Sequence, residues 1–405
     1  MRKAWGTMNV LMLCGYFAQE NEEEVIQHAR YPVEFSANTF QRKLIEGFLR
    51  TGSKLDVLSA PFIGSFPNAC DLPVFKQFEV STNECRYVGF NNIWGIRNLS
   101  RSAALKKAVK AFAKDPAEKK LILVYCPHTP FLEAAVYAKA LDPKIRICLY
   151  VPDLPNYMNL RADRSWVYDV AKYADIHRMH RLMEQVDGYV LLTEHMRSKL
   201  PVADKPCLVR EGILSDWTEA ETGYSPEEKY VVYTGKMDAK FGIPELLEGF
   251  GSIPDETYRL ILCGSGDCDE DIRQAAQADF RIQFLGQVSP EEAQRWQKRA
   301  AVLVNPRTNC EEYTKYSFPS KNIEYLMSGR PVAAYLLDGM PDVYSEFIYT
   351  ADPEQPAGRA IAEAISRALQ DGPEQWKTKY EAFAAYAQEK LSAQAIAQAI
   401  LDQHM

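Results

Sequence analysis

Short apolar runs alternate with amphipathic segments along the first half of the chain. Buried strands are predicted for the apolar runs at residues 9–17, 55–59, 121–125, 145–151 and 188–192. An amphipathic helix is predicted between the first two runs, with Asn38 as its N-cap. Strands that alternate with helices in this way predict βαβ units around a parallel sheet.

The same alternation starts again in the second half. Further buried strands are predicted for the runs at residues 230–235, 259–264, 281–286 and 301–304. A polar segment from Leu214 to Lys229 separates the halves and is interpreted as a linker. Because 405 residues exceed what one core typically holds, we predict two domains and a final helix, over residues 1–215, 216–385 and 386–405.

The most specific pattern in the chain lies between residues 305 and 332. An Asn-Pro-Arg triplet starts at Asn305, Ser-Phe-Pro-Ser-Lys covers residues 317–321, and Glu324 follows within one helical turn. The pattern predicts a strand, a loop, a helix that Gly329 ends, and another strand. A helix N-terminus offers N–H groups and positive potential to a phosphate. A carboxylate one turn inside can accept hydrogen bonds from a ribose.

This stretch resembles the donor-site signature of retaining glycosyltransferases of family 4, especially members that build bacterial surface polysaccharides. The resemblance implies an α/β protein with the GT-B fold, in which two Rossmann-like, doubly wound parallel-sheet domains face each other across a cleft. It covers most of residues 229–370 and is looser in the first half, at residues 38–41, 151–155 and 192–196. In the family, the last helix crosses back onto the first domain.

The resemblance also implies roles for individual residues of the second domain. Lys236 and Lys240 would stabilise the negative charge of the leaving diphosphate, as cationic side chains must where no metal does so. Glu324 would bind the ribose. The remaining donor-side residues of this domain are Gly264, Ser265, Gly266, Gly286, Val288, Phe318, Pro319, Ser320 and Lys321.

Two departures from the family pattern leave alternatives open. Tyr316 occupies the position at which many relatives carry a second Glu, eight residues before Glu324. Lys240 is separated from Gly242 by one residue more than in the commoner Lys-Gly pair, so a solvated loop lysine is the alternative for Lys240.

Candidate residues of the first domain follow predicted strands. Gly15 and Tyr16 would face the leaving phosphate and the acceptor, respectively, and His128 would lie near the transferred sugar. A structural histidine is the alternative for His128. Asp153 is interpreted as an acceptor-side residue or as a turn-forming Asp. We identify no dedicated base, which fits retaining enzymes in which the leaving phosphate takes the acceptor proton.

Composition restricts the partners and the compartment. A formal net charge of −7 argues against nucleic acid as a generic partner. Nine cysteines without a Cys-x-x-Cys pair are typical of a reducing compartment, so we predict a cytoplasmic protein. No apolar run reaches the ~18–20 residues of a membrane span. The sequence contains no metal-ligand pattern, and we predict neither a metal nor another cofactor.

Residues 97–120 are strongly basic. They contain eight Lys or Arg and two acidic residues, a net charge of +6 in a protein of net charge −7. Two interpretations remain open: a basic amphipathic helix that contacts the inner membrane face, or the solvated face of a helix that packs on its sheet.

These patterns predict a metal-independent, retaining transfer of a sugar from a nucleotide diphosphate sugar to a saccharide, either free or linked to a polyprenyl diphosphate. A nucleotide-sugar 2-epimerase is the alternative enzyme; it would bind the same donor but would need acid–base groups and no acceptor. An inactive, donor-binding partner subunit of a transferase is the alternative without catalysis, and Tyr316 is the residue that keeps it open.

Overall fold

The computed structural model describes residues 8–31, 33, 35–79, 85–155, 166–214 and 229–404. Contacts within the chain divide it into two compact units. The first unit comprises Met1–Asp216 and Lys390–Met405, and the second comprises Trp217–Glu389. The predicted linker falls almost entirely outside the described residues.

The first unit is built on a parallel sheet. Its strands, in spatial order, are β4 (Arg86–Tyr87), β2 (Lys54–Ser59), β1 (Asn9–Cys14), β6 (Lys120–Tyr125), β7 (Ile145–Val151), β8 (Gly188–Leu191) and β9 (Cys207–Val209). The central strands are buried on both faces, as their nearly continuous apolar sequences predict. A short antiparallel pair, β3 (Val74–Phe75) with β5 (Phe90–Asn91), lies outside this sheet.

Helices of the first unit connect these strands. They are α1 (Glu22–His28), α2 (Ser36–Arg50), α3 (Arg97–Ala108), α4 (Lys110–Ala113), α5 (Thr129–Leu141) and α6 (Trp166–Met183). The prediction that Asn38 caps α2 is wrong, because the helix begins two residues earlier. The Asn38 side chain is instead buried and hydrogen-bonded to the backbone of Phe17.

The second unit repeats the parallel arrangement. Its strands, in spatial order, are β12 (Ile282–Gly286), β11 (Arg259–Cys263), β10 (Tyr230–Thr234), β13 (Val302–Asn305), β14 (Val332–Tyr335) and β15 (Tyr349–Ala351). Its helices are α7 (Ile243–Gly251), α8 (Asp269–Ala278), α9 (Pro290–Arg299), α10 (Ser320–Met327), α11 (Tyr344–Phe347), α12 (Ala357–Gln370) and α13 (Pro373–Tyr386). Ser289 caps α9, since its hydroxyl accepts from the Glu292 N–H (3.2 Å).

The C-terminal helix α14 (Ala393–His404) belongs to the first unit, where it packs against α2. The two helices approach closely at Gly47, where a Cβ atom would overlap the Ala393 carbonyl. Just before α14, the chain pairs with Leu214: the Leu214 N–H donates to the Leu391 carbonyl (2.8 Å), and the Ala393 N–H donates to the Leu214 carbonyl (2.7 Å).

Both sheets share one strand order. Counted within each unit, the strands run 3-2-1-4-5-6, and the first unit adds a seventh strand at its edge. In such sheets the chain turns in opposite directions from strands 1 and 4, and ligands bind beyond the carboxyl ends of the strands at this switch point. The switch points lie between β1 and β6 in the first unit and between β10 and β13 in the second.

The basic segment at residues 97–120 is not one continuous amphipathic helix. It contains α3 and α4, and its last residue, Lys120, is the first residue of β6. Arg101 and Lys120 are buried, and so are the apolar side chains of Leu105, Val109 and Phe112. The apolar face of these helices therefore packs within the protein. Among the residues that the structure describes, no helix combines the length and apolar composition of a membrane span.

Candidate functional site

A pocket of about 230 Å³ lies at the switch point of the second unit. It is formed by the segments that follow β10 and β13 and by the start of α10. Its lining residues are Tyr233, Lys236, Phe241, Asn305, Arg307, Phe318, Pro319, Ser320 and Lys321. The structure thus brings together Lys236 and the predicted loop of residues 318–321.

Three cationic side chains converge on this pocket: those of Lys236, Arg307 and Lys321. Ser320 begins α10, so the free N–H groups of the first helical turn lie at the same place. Cations and a helix N-terminus together favour a bound phosphate group. The pocket can therefore hold a diphosphate and stabilise the charge that it gains on leaving.

Arg307 is a site residue that the sequence interpretation did not select. Its guanidinium lies against two rings, 4.8 Å from the centroid of Tyr313 and 5.6 Å from that of Phe241. One of its terminal nitrogens is buried and has no hydrogen-bond partner among the described residues. The available signal was its position two residues after β13, directly beyond the carboxyl end of a central strand.

Backbone hydrogen bonds join the loops that follow three neighbouring strands. The Gly235 N–H donates to the Cys263 carbonyl (2.8 Å), and the Gly264 N–H donates to the Gly286 carbonyl (2.7 Å). Gly264 has a φ of 144°, and a Cβ atom there would collide with the Gly235 carbonyl oxygen. Only glycine therefore fits at this position. Ser265 contributes a further link, since its carbonyl accepts from the Met237 N–H (3.0 Å).

Glu324 lies one turn inside α10, where neighbouring side chains hold its carboxylate. The Gln297 amide donates to Glu324 Oε1 (2.6 Å), and Lys321 Nζ lies 3.4 Å from Oε2. Gln297 is only 3% exposed and also donates to the Thr234 hydroxyl (2.9 Å). Gln297 is a second residue that sequence reasoning missed, because it contributes from α9, 27 residues before Glu324.

Several predicted residues of the second unit do not line this pocket, namely Lys240, Val288, Glu324, Gly264, Ser265, Gly266 and Gly286, and neither does Tyr316. Lys240 is exposed, with its ammonium 5.4 Å from the centroid of Phe241, and does not line the pocket. Val288 is half-buried beyond β12. Tyr316 is buried, and its hydroxyl donates to Glu312 (3.4 Å). Its side chain therefore does not replace the second Glu of many relatives as a polar group facing the pocket.

Gly266 lies in the same network, next to α8. Its N–H donates to the Asp269 carboxylate (2.8 Å), and a Cβ atom at this position would overlap Met237. The glycines at 264, 266 and 286 therefore shape the loops around the switch point rather than supply reactive groups.

In the first unit, distant side chains hold the turn after β1. The Gly15 N–H donates to the Gln41 side chain (2.8 Å), and the Phe17 N–H donates to the Asn38 side chain (3.0 Å). A Cβ atom at Gly15 would overlap the ring of Phe62. This turn is thus fixed by α2 on one side and by an aromatic ring on the other.

Tyr16 belongs to the core of the first unit. Its side chain is 1% exposed and lies in the main apolar cluster, together with Cys14 and Leu44. The ring of Tyr16 therefore packs into the core, and an acceptor-side role for this residue stays a prediction.

His128 is the N-cap of α5, directly beyond β6. Its ring packs against Phe62 and Phe131, with centroids 5.7 and 4.7 Å away. Burial, with the neighbouring charges of Arg101 and Arg97, lowers the pKa of His128 well below its ordinary value. The imidazole is therefore neutral at physiological pH.

Asp153 lies two residues beyond β7, with its side chain reaching solvent. Removal of part of its hydration by the surrounding protein raises the pKa of this carboxyl group. Burial likewise raises the pKa of the Cys14 thiol to about 12 and that of Cys126 further still, so both thiols remain protonated. Within the described ranges, no group of three or more His, Cys, Asp or Glu side chains forms a candidate metal site.

Comparisons with known proteins agree with this geometry. Residues 228–371, which include the pocket of the second unit, match the family model described as "Glycosyl transferases group 1". No curated protein matches the chain by sequence.

Solved structures resemble the whole chain in fold. Sucrose-phosphate synthase from Thermosynechococcus elongatus is 18% identical with a TM-score of 0.58, over 97% of this chain and 98% of that one. HepE of Anabaena in complex with UDP is 12% identical with a TM-score of 0.59, over 98% and 99%. The trehalose 6-phosphate synthase of Burkholderia multivorans is 11% identical with a TM-score of 0.57, over 98% and 96%.

These matches confirm the predicted fold, a GT-B architecture of two parallel-sheet α/β domains. The family match covers residues 228–371, and the structural neighbours show the fold of the whole chain.

Proposed function

We propose that this chain is a retaining, metal-independent glycosyltransferase of family 4. It moves a sugar from a nucleotide diphosphate sugar to a saccharide, either free or linked to a lipid. The observation that carries the proposal is the pocket of the second unit, where Lys236, Arg307 and Lys321 surround the N-terminus of α10. This pocket lies within the residues that match the glycosyl transferases group 1 family.

The three cations would act on the leaving diphosphate. As the bond to the sugar breaks, negative charge grows on the phosphate oxygen while positive charge grows on the anomeric carbon. Lys236 and Lys321 are the proposed catalytic cations, because charge that is already in place stabilises the transition state without reorganisation. Arg307, stacked between two rings, would hold the diphosphate in one orientation.

Glu324 would bind the ribose of the donor. The hydrogen bond from Gln297 fixes one carboxylate oxygen and leaves the other near Lys321. Gln297 is itself bonded to Thr234 at the end of β10, so the carboxylate is positioned by the sheet. Rigid support of this kind reduces the entropy lost on binding.

The proton of the acceptor hydroxyl would pass to the leaving phosphate. In this scheme no side chain acts as a general base, and His128 contributes a neutral ring beside the transferred sugar. Its neutrality follows from burial near Arg97 and Arg101. Asp153 would orient the acceptor through its carboxyl group, whose raised pKa reflects partial burial.

The proposed setting is the cytoplasm, with the acceptor presented in solution or at the inner membrane face. A membrane contact through residues 97–120 would use side chains that are exposed in the structure, such as those of Leu99, Lys107, Lys110 and Lys114. Sedimentation with anionic and neutral vesicles distinguishes this contact from a merely solvated helix face.

A thermal-shift panel of nucleotide diphosphates and their sugars tests the donor site. UDP is the first ligand to use, because a neighbour of similar fold is solved with UDP. A ligand that binds only the folded state raises the melting temperature. The shift should be lost in Glu324→Ala and kept in the control Glu374→Ala, an exposed position on α13. No shift with any nucleotide would contradict the proposal.

The products distinguish the proposal from its alternatives. Transfer with retention of the anomeric configuration, read by NMR, supports the retaining transferase. Conversion of the donor to its 2-epimer without an acceptor supports the epimerase. Donor binding without turnover of any acceptor supports an inactive partner subunit, the alternative that buried Tyr316 keeps open.

A further inference from the structure

A second cavity, of about 490 Å³, lies in the first unit. It opens beside the carboxyl end of β6, where His128 and Thr129 begin α5. Arg97 of α3 forms one wall, and α6 forms another. The cavity thus lies beside the carboxyl end of a central strand, the side of a parallel sheet on which ligands of such units bind.

Two arginines next to this cavity lack acidic partners. Arg97 donates to the Ile63 carbonyl (3.2 Å), and Arg101, one turn later on α3, donates to the Pro61 carbonyl (2.5 Å). Neither forms an ion pair within the part of the chain that the structure describes. Arg101 is only 1% exposed, and its guanidinium lies 4.2 Å from the centroid of Phe90. A buried guanidinium group is ordinarily paired, so Arg101, with half-buried Arg97 one turn away, carries positive charge that no ion pair offsets.

The start of α5 adds to this potential. The N-cap side chain makes no capping hydrogen bond, so free N–H groups of the first turn of α5 lie beside the cavity. The Nδ1 atom of His128 is buried and has no partner among the described residues. Burial and the two arginine charges keep this ring neutral. The wall formed by Arg97 and the start of α5 therefore carries positive charge, and the carboxylates of Glu133 and Asp175 line the same cavity.

The carboxylates that face the cavity already have partners. Glu133 accepts from Ser102 and from Lys106 (2.9 Å) and forms an ion pair with Arg178. Asp175 accepts from the Thr129 hydroxyl (2.7 Å). Two cations oppose the Glu133 charge, so this carboxylate does not neutralise Arg97.

We infer that this cavity binds a phosphate group of the acceptor, with Arg97 as its anchoring side chain. The inference rests on the proposed transferase function, since it names the chemical class of the second substrate. Arg97 is half-buried, lines the cavity and carries a planar set of donors suited to phosphate oxygens. Its guanidinium would move from a carbonyl to a charged oxygen, and the potential of Arg101 and α5 would support the bound anion.

Trp94 and Leu99 flank the cavity and are largely exposed, at 56% and 63%. An indole face packs equally well on a sugar ring or on a hydrocarbon chain. The phosphate can therefore belong to a soluble sugar phosphate or to a lipid phosphate. The recognised chemistry is the same for both sources.

Ligand-observed NMR titrations distinguish the two sources. The probes are glucose 6-phosphate and farnesyl phosphate, each compared with its uncharged parent, glucose or farnesol. The protein is the full chain carrying Lys236→Ala and Lys321→Ala, which removes two of the three cations of the phosphate pocket in the second unit. At least one phosphate probe should bind ten times more tightly than its parent. Tighter binding of glucose 6-phosphate identifies a sugar phosphate as the ligand, and tighter binding of farnesyl phosphate identifies a lipid phosphate.

Substitution of Arg97 in this background provides the decisive comparison. Arg97→Gln should weaken the preferred phosphate probe by about 10- to 100-fold, as loss of a charge-assisted hydrogen bond implies. Lys107→Gln, an exposed position on the same helix, should leave the affinity unchanged. Arg97→Lys keeps the charge and should lose less than Arg97→Gln, which separates recognition from a folding defect.

Two results overturn the inference: phosphate probes that bind no better than their parents, or equal affinities in Arg97→Gln and Lys107→Gln. UDP binding to the chain without these substitutions reports the proposed function separately. If UDP binds and the phosphate probes do not, the acceptor inference alone fails. If UDP does not bind, the proposed donor site is contradicted. The comparison of Arg97→Gln with Lys107→Gln still tests phosphate binding in the cavity.

Discussion

The two switch points of this protein are built by different means. In the second unit, backbone hydrogen bonds between glycine-containing loops shape the pocket, and its charged side chains are grouped in short stretches of sequence. In the first unit, side chains from distant positions hold the turn after β1, and unpaired arginines lie beside a neutral histidine. One strand order therefore supports a site organised by the backbone and another organised by buried polar side chains.

This difference has a physical origin. A diphosphate is recognised by N–H groups and cations, which a loop and a helix N-terminus supply locally. The first unit instead buries ionisable groups, and burial shifts their protonation equilibria. The second site should thus be sensitive to single charges and glycines. The first should be sensitive to buried hydrogen bonds and to pH.

The largest expected effect is the loss of a phosphate cation in the second unit. Lys321→Ala should lower kcat/KM for sugar transfer by about 100-fold or more, since a preorganised charge is removed from the transition state. Lys298→Ala, an exposed lysine on α9, should leave kcat/KM unchanged. Steady-state kinetics measure both. Equal activity in the two variants would mean that the pocket does not bind the leaving group.

Next in size is Gly264→Ala. The added methyl group would collide with the Gly235 carbonyl at a φ of 144°, so the free energy of unfolding should fall by roughly 2–4 kcal/mol. Gly52→Ala is the control in the first unit, since it shares a positive φ but meets no atom within 4 Å. Urea denaturation measures the two losses. A loss no larger than that of the control would mean that the loops are not held by this contact.

The corresponding change in the first unit is Gln41→Leu. It leaves the buried Gly15 N–H without an acceptor, which should cost about 1–3 kcal/mol of unfolding free energy. The thermal shift caused by UDP should be unchanged, because the donor pocket is formed by residues of the second unit. A reduced shift would contradict the view that the donor binds through residues of the second unit alone.

Gln297→Leu should act on donor binding through Glu324. The carboxylate would lose its hydrogen bond to the buried amide, and KM for the donor should rise about tenfold. Since Gln297 is not proposed to touch the leaving group, kcat should change far less than KM. Gln294→Leu, an exposed position on the same helix, serves as the control. A loss confined to kcat would indicate a different role for Gln297.

The smallest expected effect is acid sensitivity of the first unit. All six histidines of the chain lie there, at positions 28, 128, 177, 180, 195 and 404. Burial lowers the pKa of His404 to about 4 in the folded protein, so the unfolded chain binds a proton more readily below pH 6.5. The stability contribution is complete above about pH 6.5 and is lost as the pH falls towards 4.

This loss should be about 1 kcal/mol, because His404 is partly exposed and its charge is screened. Hydrogen exchange at pH 7 and pH 5 should show protection falling first in the first unit. His404→Gln should reduce the difference between the two pH values. Faster exchange in the second unit would contradict the assignment.

The donor side was largely predictable from the sequence, because its signals are local. Strand, loop and helix follow one another between residues 301 and 332, and each has a recognisable pattern. What local patterns could not reveal were contributions from other elements. Gln297 and Arg307 acquire their roles through neighbours in space, and no spacing rule connects Gln297 of α9 with Glu324 of α10.

Predictions for the first unit were less complete for the same reason. An Asn before an amphipathic run usually caps the helix, and for this reason the sequence predicts a cap at Asn38. In the structure it bonds Phe17, 21 residues away. The buried ring of Tyr16 shows a related limit, because a polar hydroxyl in a turn sequence does not reveal whether the side chain faces the core.

The paired segments at Leu214 and at Leu391 to Ala393 have a consequence for how such proteins diversify. Within the first unit, the chain departs at one of these segments and returns at the other, and backbone hydrogen bonds hold the two together. The two ends of the intervening segment, which contains the second unit, therefore lie next to each other. Recombination at this point could exchange a donor-recognition module without remaking the fold that receives it. Replacement of residues 217–389 by a short glycine-rich loop should accordingly leave a first unit whose two chain ends are already aligned for closure.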